Sequence, residues 1–215
     1  MTMTPERWDF LNDYSREVFG AEDDHLSGLM DEAVAAGLPD IAVTADVGRL
    51  LQILTSTTRG LLAVEVGTLA GYSGIWIARG LQPIGRLITI ELNPKHAAFA
   101  RDQFLRAGVG DQVEVRLGYG IDVLTDLVRE LEPGSVDVLF VDAVKTEYSE
   151  YFRAARPLIA VGGLVLADNV LGTAEGWVDQ GYGTDPFNRM IADDPDFDAV
   201  AVPLRQGVMI ARRFS

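Results

Sequence analysis

The sequence contains no cysteine, which excludes disulfide bonds, thiolate metal sites and cysteine nucleophiles. Histidine is almost as scarce, since only His25 and His96 are present. An isolated histidine is more often a surface or packing residue than a catalyst. A metal ion bound by this chain would therefore need oxygen ligands, as Mg²⁺ does.

Basic residues are few: 18 Lys and Arg stand against 32 Asp and Glu, for a formal net charge of −14. This excess disfavours nucleic acid as a partner, because a phosphate backbone would be repelled. Long apolar runs are also missing. The longest, near 157–167, carries a glycine pair and is too short to span a bilayer, and the N-terminus lacks a signal-peptide core. We expect a cytoplasmic protein with no membrane partner.

The chain has the length of one large domain, 1–215, and its pattern indicates repeated βα units. From residue 61 onward, short apolar runs alternate with helical patterns, which is typical of a doubly wound, mostly parallel sheet. Strands are predicted at 61–66, 86–91, 112–117, 136–141 and 163–168. A helix is predicted from Pro94 to Gly108 between two of these strands.

Both ends of the chain depart from this alternation. Two strand-like runs, 198–204 and 207–213, are separated by a turn around Arg205 and Gln206 and predict an antiparallel hairpin, which brings the sheet to seven strands. Residues 1–60 are helical in pattern, with segments near 5–19, 23–36 and 44–57, and are predicted to form an N-terminal cap on the sheet domain of 61–215.

A glycine-rich loop follows the first predicted strand. Gly67, Gly71 and Gly74 do not match the G-x-G-x-x-G dinucleotide motif or the P-loop, and Glu65 would repel a phosphate. A carboxylate suits an amine or a sulfonium instead. Glu91 ends the next strand, at a spacing typical of an acid that binds ribose hydroxyls. S-adenosylmethionine, an adenosine with a cationic, phosphate-free tail, fits both features. The alternative is a purely structural strand-to-helix turn in which Glu65 caps the helix.

Hard oxygen donors follow two further strands. Asp142 ends the fourth strand, and Asp168 and Asn169 end the fifth. Neighbouring parallel strands bring such residues to one sheet edge, where they would suit Mg²⁺. Lys145, three residues after Asp142, is placed to accept a phenolic proton. The alternative is that these are turn and N-cap residues beside a solvated lysine.

The sequence resembles the class I S-adenosylmethionine-dependent O-methyltransferases of the catechol and caffeoyl-CoA type. The resemblance extends over about residues 25–215. It rests on the segments EVGTLAGYSGIWIA, RLITIEL, FVDAVKTEYSEYF, GGLVLADNVL and PLRQGVMIARR, with a looser match in LPDIAVTADVGRLLQIL.

The resemblance implies a Rossmann-like methyltransferase fold, a homodimer, and methyl transfer to a hydroxyl of a small catechol-like aromatic. It implies Lys145 and Asp142 as catalytic residues and a divalent ion, Mg²⁺ or else Mn²⁺ or Ca²⁺, held by Asp142, Asp168 and Asn169. The cofactor is expected to contact Val43, Glu65, Gly67, Thr68, Ser73, Glu91, Gly120 and Asp142.

Three departures from the family pattern stand out. Val144 replaces an acid that the family often carries, and Glu91 stands where an aspartate is common. The segment between Asn169 and Phe187 also differs, and we expect it to border the acceptor, with Trp177 or Tyr182 placed to stack on an aromatic ring.

Two other classes of function are consistent with parts of the sequence. A nicotinamide-dependent dehydrogenase would use a similar sheet, but it would be expected to carry G-x-G-x-x-G. A non-catalytic S-adenosylmethionine-binding accessory protein would keep Glu65 and Glu91 but would not need Lys145 beside three oxygen donors. The joint presence of these residues favours an enzyme.

Overall fold

A computed structural model describes residues 4–173 and 176–215. Residues 1–3 of the predicted N-terminal cap therefore lie outside the described residues. So do residues 174–175 of the segment expected to border the acceptor. Within these ranges the helices are α1 Pro5–Phe19, α2 Asp24–Ala35, α3 Ala45–Ser56, α4 Tyr72–Gly80, α5 Pro94–Arg106, α6 Gly120–Glu130, α7 Tyr148–Ala155 and α8 Asp185–Ala192. The strands are β1 Leu62–Val66, β2 Arg86–Glu91, β3 Val113–Leu117, β4 Val136–Val141, β5 Ile159–Ala167, β6 Gly172–Thr173, β7 Gly176–Trp177, β8 Phe197–Val202 and β9 Val208–Arg213.

Seven of these strands form one sheet in the order β3-β2-β1-β4-β5-β9-β8. Strands β1 to β5 are parallel, and β9 pairs antiparallel with both β5 and β8. The central strand β4 is buried along its whole length, which its sequence VDVLFV anticipates. The doubly wound sheet and the C-terminal antiparallel hairpin are thus confirmed.

Two hydrophobic clusters lie on opposite faces of the sheet because side chains alternate along each strand. One contains Ala63 of β1 with Leu29 of α2, Leu51 of α3 and Phe104 of α5. The other contains β1 residues of the opposite face together with apolar residues of α6, α7 and α8. Helices α2 and α3 therefore share a core with the sheet.

The N-terminal helices differ in how closely they approach this core. Helix α3 packs tightly on α4 because Gly48 faces the Trp76 indole, where a Cβ would come within 2.3 Å of Nε1. Every residue of α1 is at least partly exposed, including Phe10, Tyr14 and Phe19. Of the described residues, no helix is long and apolar enough to cross a membrane.

The predicted element bounds differ from the structure mainly at β5 and after it. Strand β5 begins at Ile159 rather than at 163, because a bulge at Gly162 and Gly163 lets the chain pair with β4 on both sides of the glycines. Gly162 has a φ of +85°. The short β6–β7 ribbon carries no alternating pattern and was not predicted.

Candidate functional site

A cavity of about 1080 Å³ opens at the carboxyl ends of the parallel strands. Ligands bind at this edge in open α/β sheets, and the volume accommodates a nucleotide-sized molecule with a second small ligand. Of the predicted site residues, nine line it: Val43, Gly67, Thr68, Ser73, Glu91, Gly120, Asp142, Lys145 and Asn169. Glu65 and Asp168 are fully buried next to it.

The glycine loop is held against the end of β4 by close backbone contact. Asp142 N donates to Val66 O at 2.9 Å, and Gly67 N donates to Ile90 O at 3.0 Å. Gly67 has a φ of +104°, and a Cβ there would stand 2.0 Å from the carbonyl oxygen of Asp142. Glycine is therefore required at this position for the loop and the first oxygen donor to meet.

The carboxyl group of Glu65, beneath this loop, accepts hydrogen bonds from two hydroxyl groups. Its Oε1 accepts from Ser73 Oγ and its Oε2 accepts from Thr89 Oγ1, each at 2.6 Å. Thr68 Oγ1 lies 2.6 Å from the same Thr89 hydroxyl. Burial raises the pKa of Glu65 to about 7, although the two hydrogen bonds oppose the shift. Direct cofactor contact by Glu65 stays a prediction; the geometry adds a bracing role for the loop.

We expect Glu65→Gln to flatten the dependence of stability on pH. Between the ordinary pKa of 4.5 and the folded-state value of about 7, unfolding releases the Glu65 proton, so stability falls as pH rises. The shift corresponds to a loss of about 3 kcal/mol across that window. Urea denaturation at several pH values would show a steeper decline for the unmodified protein than for the variant. The exposed Glu17→Gln is the matched control; parallel curves for all three proteins would contradict the assignment.

Glu91 lies at the tip of β2 on the cavity wall. Its Oε2 accepts from Leu69 N and its Oε1 from Asn93 N, each at 2.8 Å. These bonds fix the carboxylate between the glycine loop and the start of α5. The sequence therefore placed this acid correctly at the strand end, and its longer side chain still faces the cavity.

The oxygen donors and Lys145 form one connected cluster. Residues Val141 and Ala167 are paired in the sheet, so Asp142 and Asp168 leave adjacent strand ends. Lys145 Nζ donates to Asp142 Oδ1 at 2.5 Å and to the Tyr148 hydroxyl at 2.6 Å. The Tyr148 hydroxyl in turn donates to the Asp168 carbonyl oxygen at 3.1 Å. These hydrogen bonds fix the position of the Lys145 amine relative to the ends of β4 and β5.

Asp168 is a buried acid with one unused oxygen. Its Oδ1 has no hydrogen-bond partner among the described residues, while Oδ2 lies 3.4 Å from Arg205 Nη1. Burial, followed by the negative charge of Asp142, raises the pKa of Asp168 above its ordinary value. Burial likewise raises the pKa of Tyr148 well above that of a free phenol, so the phenol stays protonated as a donor.

Backbone strain is concentrated at this cavity. In the described ranges, the non-glycine residues with positive φ are Leu69, Asn169 and Arg205, and all three line it. Such conformations cost about 1–3 kcal/mol each and cluster at functional sites. Asparagine tolerates the conformation well, which explains the residue type at 169.

Sequence reasoning missed two members of the cluster, Tyr148 and Arg205. Tyr148 follows Lys145 by three residues, a spacing that places side chains together on a helical turn. Arg205 was assigned only to a turn. Because β9 pairs with β5, the turn before β9 lies beside the end of β5. This strand pairing is the signal that could have identified Arg205 as a site residue.

No group of three or more His, Asp or Glu side chains with metal-binding geometry occurs in residues 4–173 and 176–215. The candidate ion ligands are instead two carboxylates and the amide of Asn169, whose Nδ2 lies 3.3 Å from Gln206 Oε1. This contact uses the amide nitrogen and not the amide oxygen of Asn169, and Asn169 lines the cavity.

The fold and the cavity together define an α/β protein with a nucleotide-sized site at the carboxyl edge of its sheet. The family model described as O-methyltransferase matches residues 16–214. The chain belongs to this O-methyltransferase family.

Relatives and solved structures agree with this family. The chain is 39% identical over 209 residues to a catechol O-methyltransferase of Niastella koreensis, covering 94% of this chain and 93% of the relative. It is 34% identical to the O-methyltransferase TomG from Streptomyces achromogenes, solved in complex with SAM, with a TM-score of 0.85 and full coverage of both chains. An O-methyltransferase from Bacillus cereus in complex with SAH is 32% identical over 97% of this chain and 99% of that one, with a TM-score of 0.84.

Proposed function

We propose that the protein transfers a methyl group from S-adenosylmethionine to a hydroxyl of a small aromatic with vicinal hydroxyls, and that the reaction requires a divalent cation. The observation that carries this proposal is the shared cavity wall: the glycine loop and Glu91 lie on it together with Asp142, Asn169 and Lys145. The catechol O-methyltransferase name of the Niastella koreensis relative supports the acceptor class.

The cofactor would lie along the glycine loop. Glu91 would accept hydrogen bonds from ribose hydroxyls, since its carboxylate is already oriented by two backbone N–H groups. Val43 and Gly120 border the same cavity, and Gly120 begins α6 where a larger residue would meet Tyr151. The SAM and SAH complexes of the two solved relatives support this assignment.

A divalent ion such as Mg²⁺, Mn²⁺ or Ca²⁺ would be held by Asp142, Asp168 and Asn169. The unpartnered Oδ1 of Asp168 fits this role, because a fully buried carboxylate oxygen is costly unless it binds a cation or a donor. When bound, such an ion supplies Lewis-acid stabilisation of an ionising hydroxyl.

Once its ammonium group has released a proton to solvent, the neutral amine of Lys145 would take the proton of the reacting hydroxyl. Asp142 and Tyr148 hold its amine at the cavity wall, so the chain orients the base without help from the acceptor. Because the Tyr148 hydroxyl is anchored to the Asp168 backbone, the amine is fixed relative to the ion ligands. The protein therefore contributes orientation and proton transfer.

The non-catalytic accessory protein is the second candidate function. Connected placement of Lys145, Asp142 and Tyr148 disfavours it, because cofactor binding alone needs no such arrangement. A homodimer also stays a prediction, for which the exposed aromatic side chains of α1 offer a candidate surface.

Calorimetry and an acceptor screen test the proposed function directly. S-adenosylmethionine is expected to bind and NAD is not, since the glycine loop lacks the G-x-G-x-x-G motif of dinucleotide sites. Methylation of catechols, hydroxycinnamate thioesters and flavonoids with added Mg²⁺ is expected to give monomethylated products. Binding of S-adenosylmethionine with no product from any acceptor would favour the accessory role, and binding of NAD alone would refute the proposal.

A further inference from the structure

Arg205 is held at the edge of the candidate ion site in a costly conformation. Its φ of +53° lies in the left-handed region, which arginine rarely adopts. Its backbone N–H donates to Asn12 Oδ1 of α1 at 3.3 Å. Contacts to a distant helix therefore help to keep this residue in place, and a strained residue retained at a cavity indicates a role there.

The guanidinium of Arg205 supplies a positive charge to Asp168. Its Nη1 lies 3.4 Å from Asp168 Oδ2 and 3.4 Å from the carbonyl oxygen of Ala42. The Asp168 side chain is 0% exposed, whereas that of Arg205 is 29% exposed and borders the cavity. In the part of the chain that the structure describes, Arg205 is the partner with which Asp168 forms a salt bridge.

Each carboxylate of the candidate ion site thus has its own cation. Lys145 pairs with Asp142 and Arg205 pairs with Asp168, so two negative charges face two positive ones. Asn169 and Val144 add no charge. A divalent ion entering this site gains the free Oδ1 of Asp168 as a ligand, but it also meets a guanidinium next to the other oxygen of that carboxylate.

Coulomb repulsion scales with the product of the charges, so the guanidinium repels a divalent ion twice as strongly as it repels a monovalent one at the same distance. We propose that Arg205 is the resident counter-ion of Asp168 and that it lowers the affinity of this site for divalent cations by competing for the carboxylate. This inference rests on the proposed function, because it assumes that Asp168 is an ion ligand.

Calorimetric titration with Mg²⁺, in the presence of S-adenosylhomocysteine and without an acceptor, tests this inference. Arg205→Gln is expected to tighten the Kd for Mg²⁺ roughly tenfold, because one positive charge next to the ion is lost. Arg205→Lys keeps that charge, and its Kd for Mg²⁺ is expected to be closer to that of the unmodified protein. Arg129→Gln removes the same charge at the distant end of α6 and is expected to leave the Kd unchanged.

Arg205→Gly guards against misfolding, since glycine suits a positive φ and also removes the charge. Both charge-removing variants should therefore tighten Mg²⁺ binding if their melting curves show a folded protein. Unchanged or weaker binding by both would overturn the role of Arg205. A separate result, Asp168→Asn binding Mg²⁺ as tightly as the unmodified protein, would instead overturn the ion site of the proposed function.

Discussion

Removal of divalent ions with a chelator is expected to reduce methyl transfer to a catechol to the rate measured without the protein. The side chains that are candidate ion ligands, those of Asp142, Asp168 and Asn169, are distinct from Glu91, the acid expected to bind the ribose. We therefore expect the Kd for S-adenosylmethionine to change by no more than about twofold on chelation, because an interaction made mainly in the transition state alters turnover rather than ground-state binding. Product formation and cofactor calorimetry, run on the same sample, measure both quantities.

Adding back Mg²⁺, Mn²⁺ and Ca²⁺ separately would then restore activity and rank the ions. Asp168→Asn is the matched variant, since it keeps the size of the side chain and removes the charge and one oxygen. We expect the added ions to restore activity in the unmodified protein but not in this variant. Full turnover in chelator, with S-adenosylmethionine still bound, would show that Lys145 and the cavity suffice without an ion.

The sequence was most informative at the strand ends. Strands β2 and β4 have the predicted bounds, so Glu91 lies at the end of β2 and Asp142 immediately follows β4. Alternation of strands and helices then predicts that such residues meet at one edge, and the cavity lies there. This part of the site follows from local pattern and topology alone.

Contacts between distant segments could not be predicted in the same way. Glu65 was expected to face the cofactor, but residue spacing cannot distinguish an acid that contacts a ligand from one that braces the loop through Ser73 and Thr89. The pairing of Arg205 with Asp168 joins residues 37 positions apart and depends on the antiparallel placement of β9. Both the Glu65 contacts and the Arg205 pairing depend on side-chain direction within the fold, which residue spacing does not give.

Lys145→Met is expected to lower kcat roughly 10²–10⁴-fold, the usual contribution of a general base. Methionine has a similar length but cannot accept a proton, so the variant removes the chemistry with little change in volume. The glycine loop does not depend on the amine, and we expect the Kd for S-adenosylmethionine to stay within about twofold of its original value. Turnover at saturating acceptor and Mg²⁺, together with cofactor calorimetry, checks both expectations.

The chain provides its own control, because Lys95 is the other lysine in the sequence. Its Nζ lies 3.3 Å from the carbonyl oxygen of Gly37, away from Asp142, and Lys95→Met makes the same chemical change there. Equal turnover of both variants and the unmodified protein would remove Lys145 from the mechanism. Tyr148→Phe separates proton acceptance from orientation. This variant keeps the Lys145 amine but deletes the hydroxyl that links the amine to Asp168. A loss of kcat smaller than that of Lys145→Met would show that the base must also be held in place.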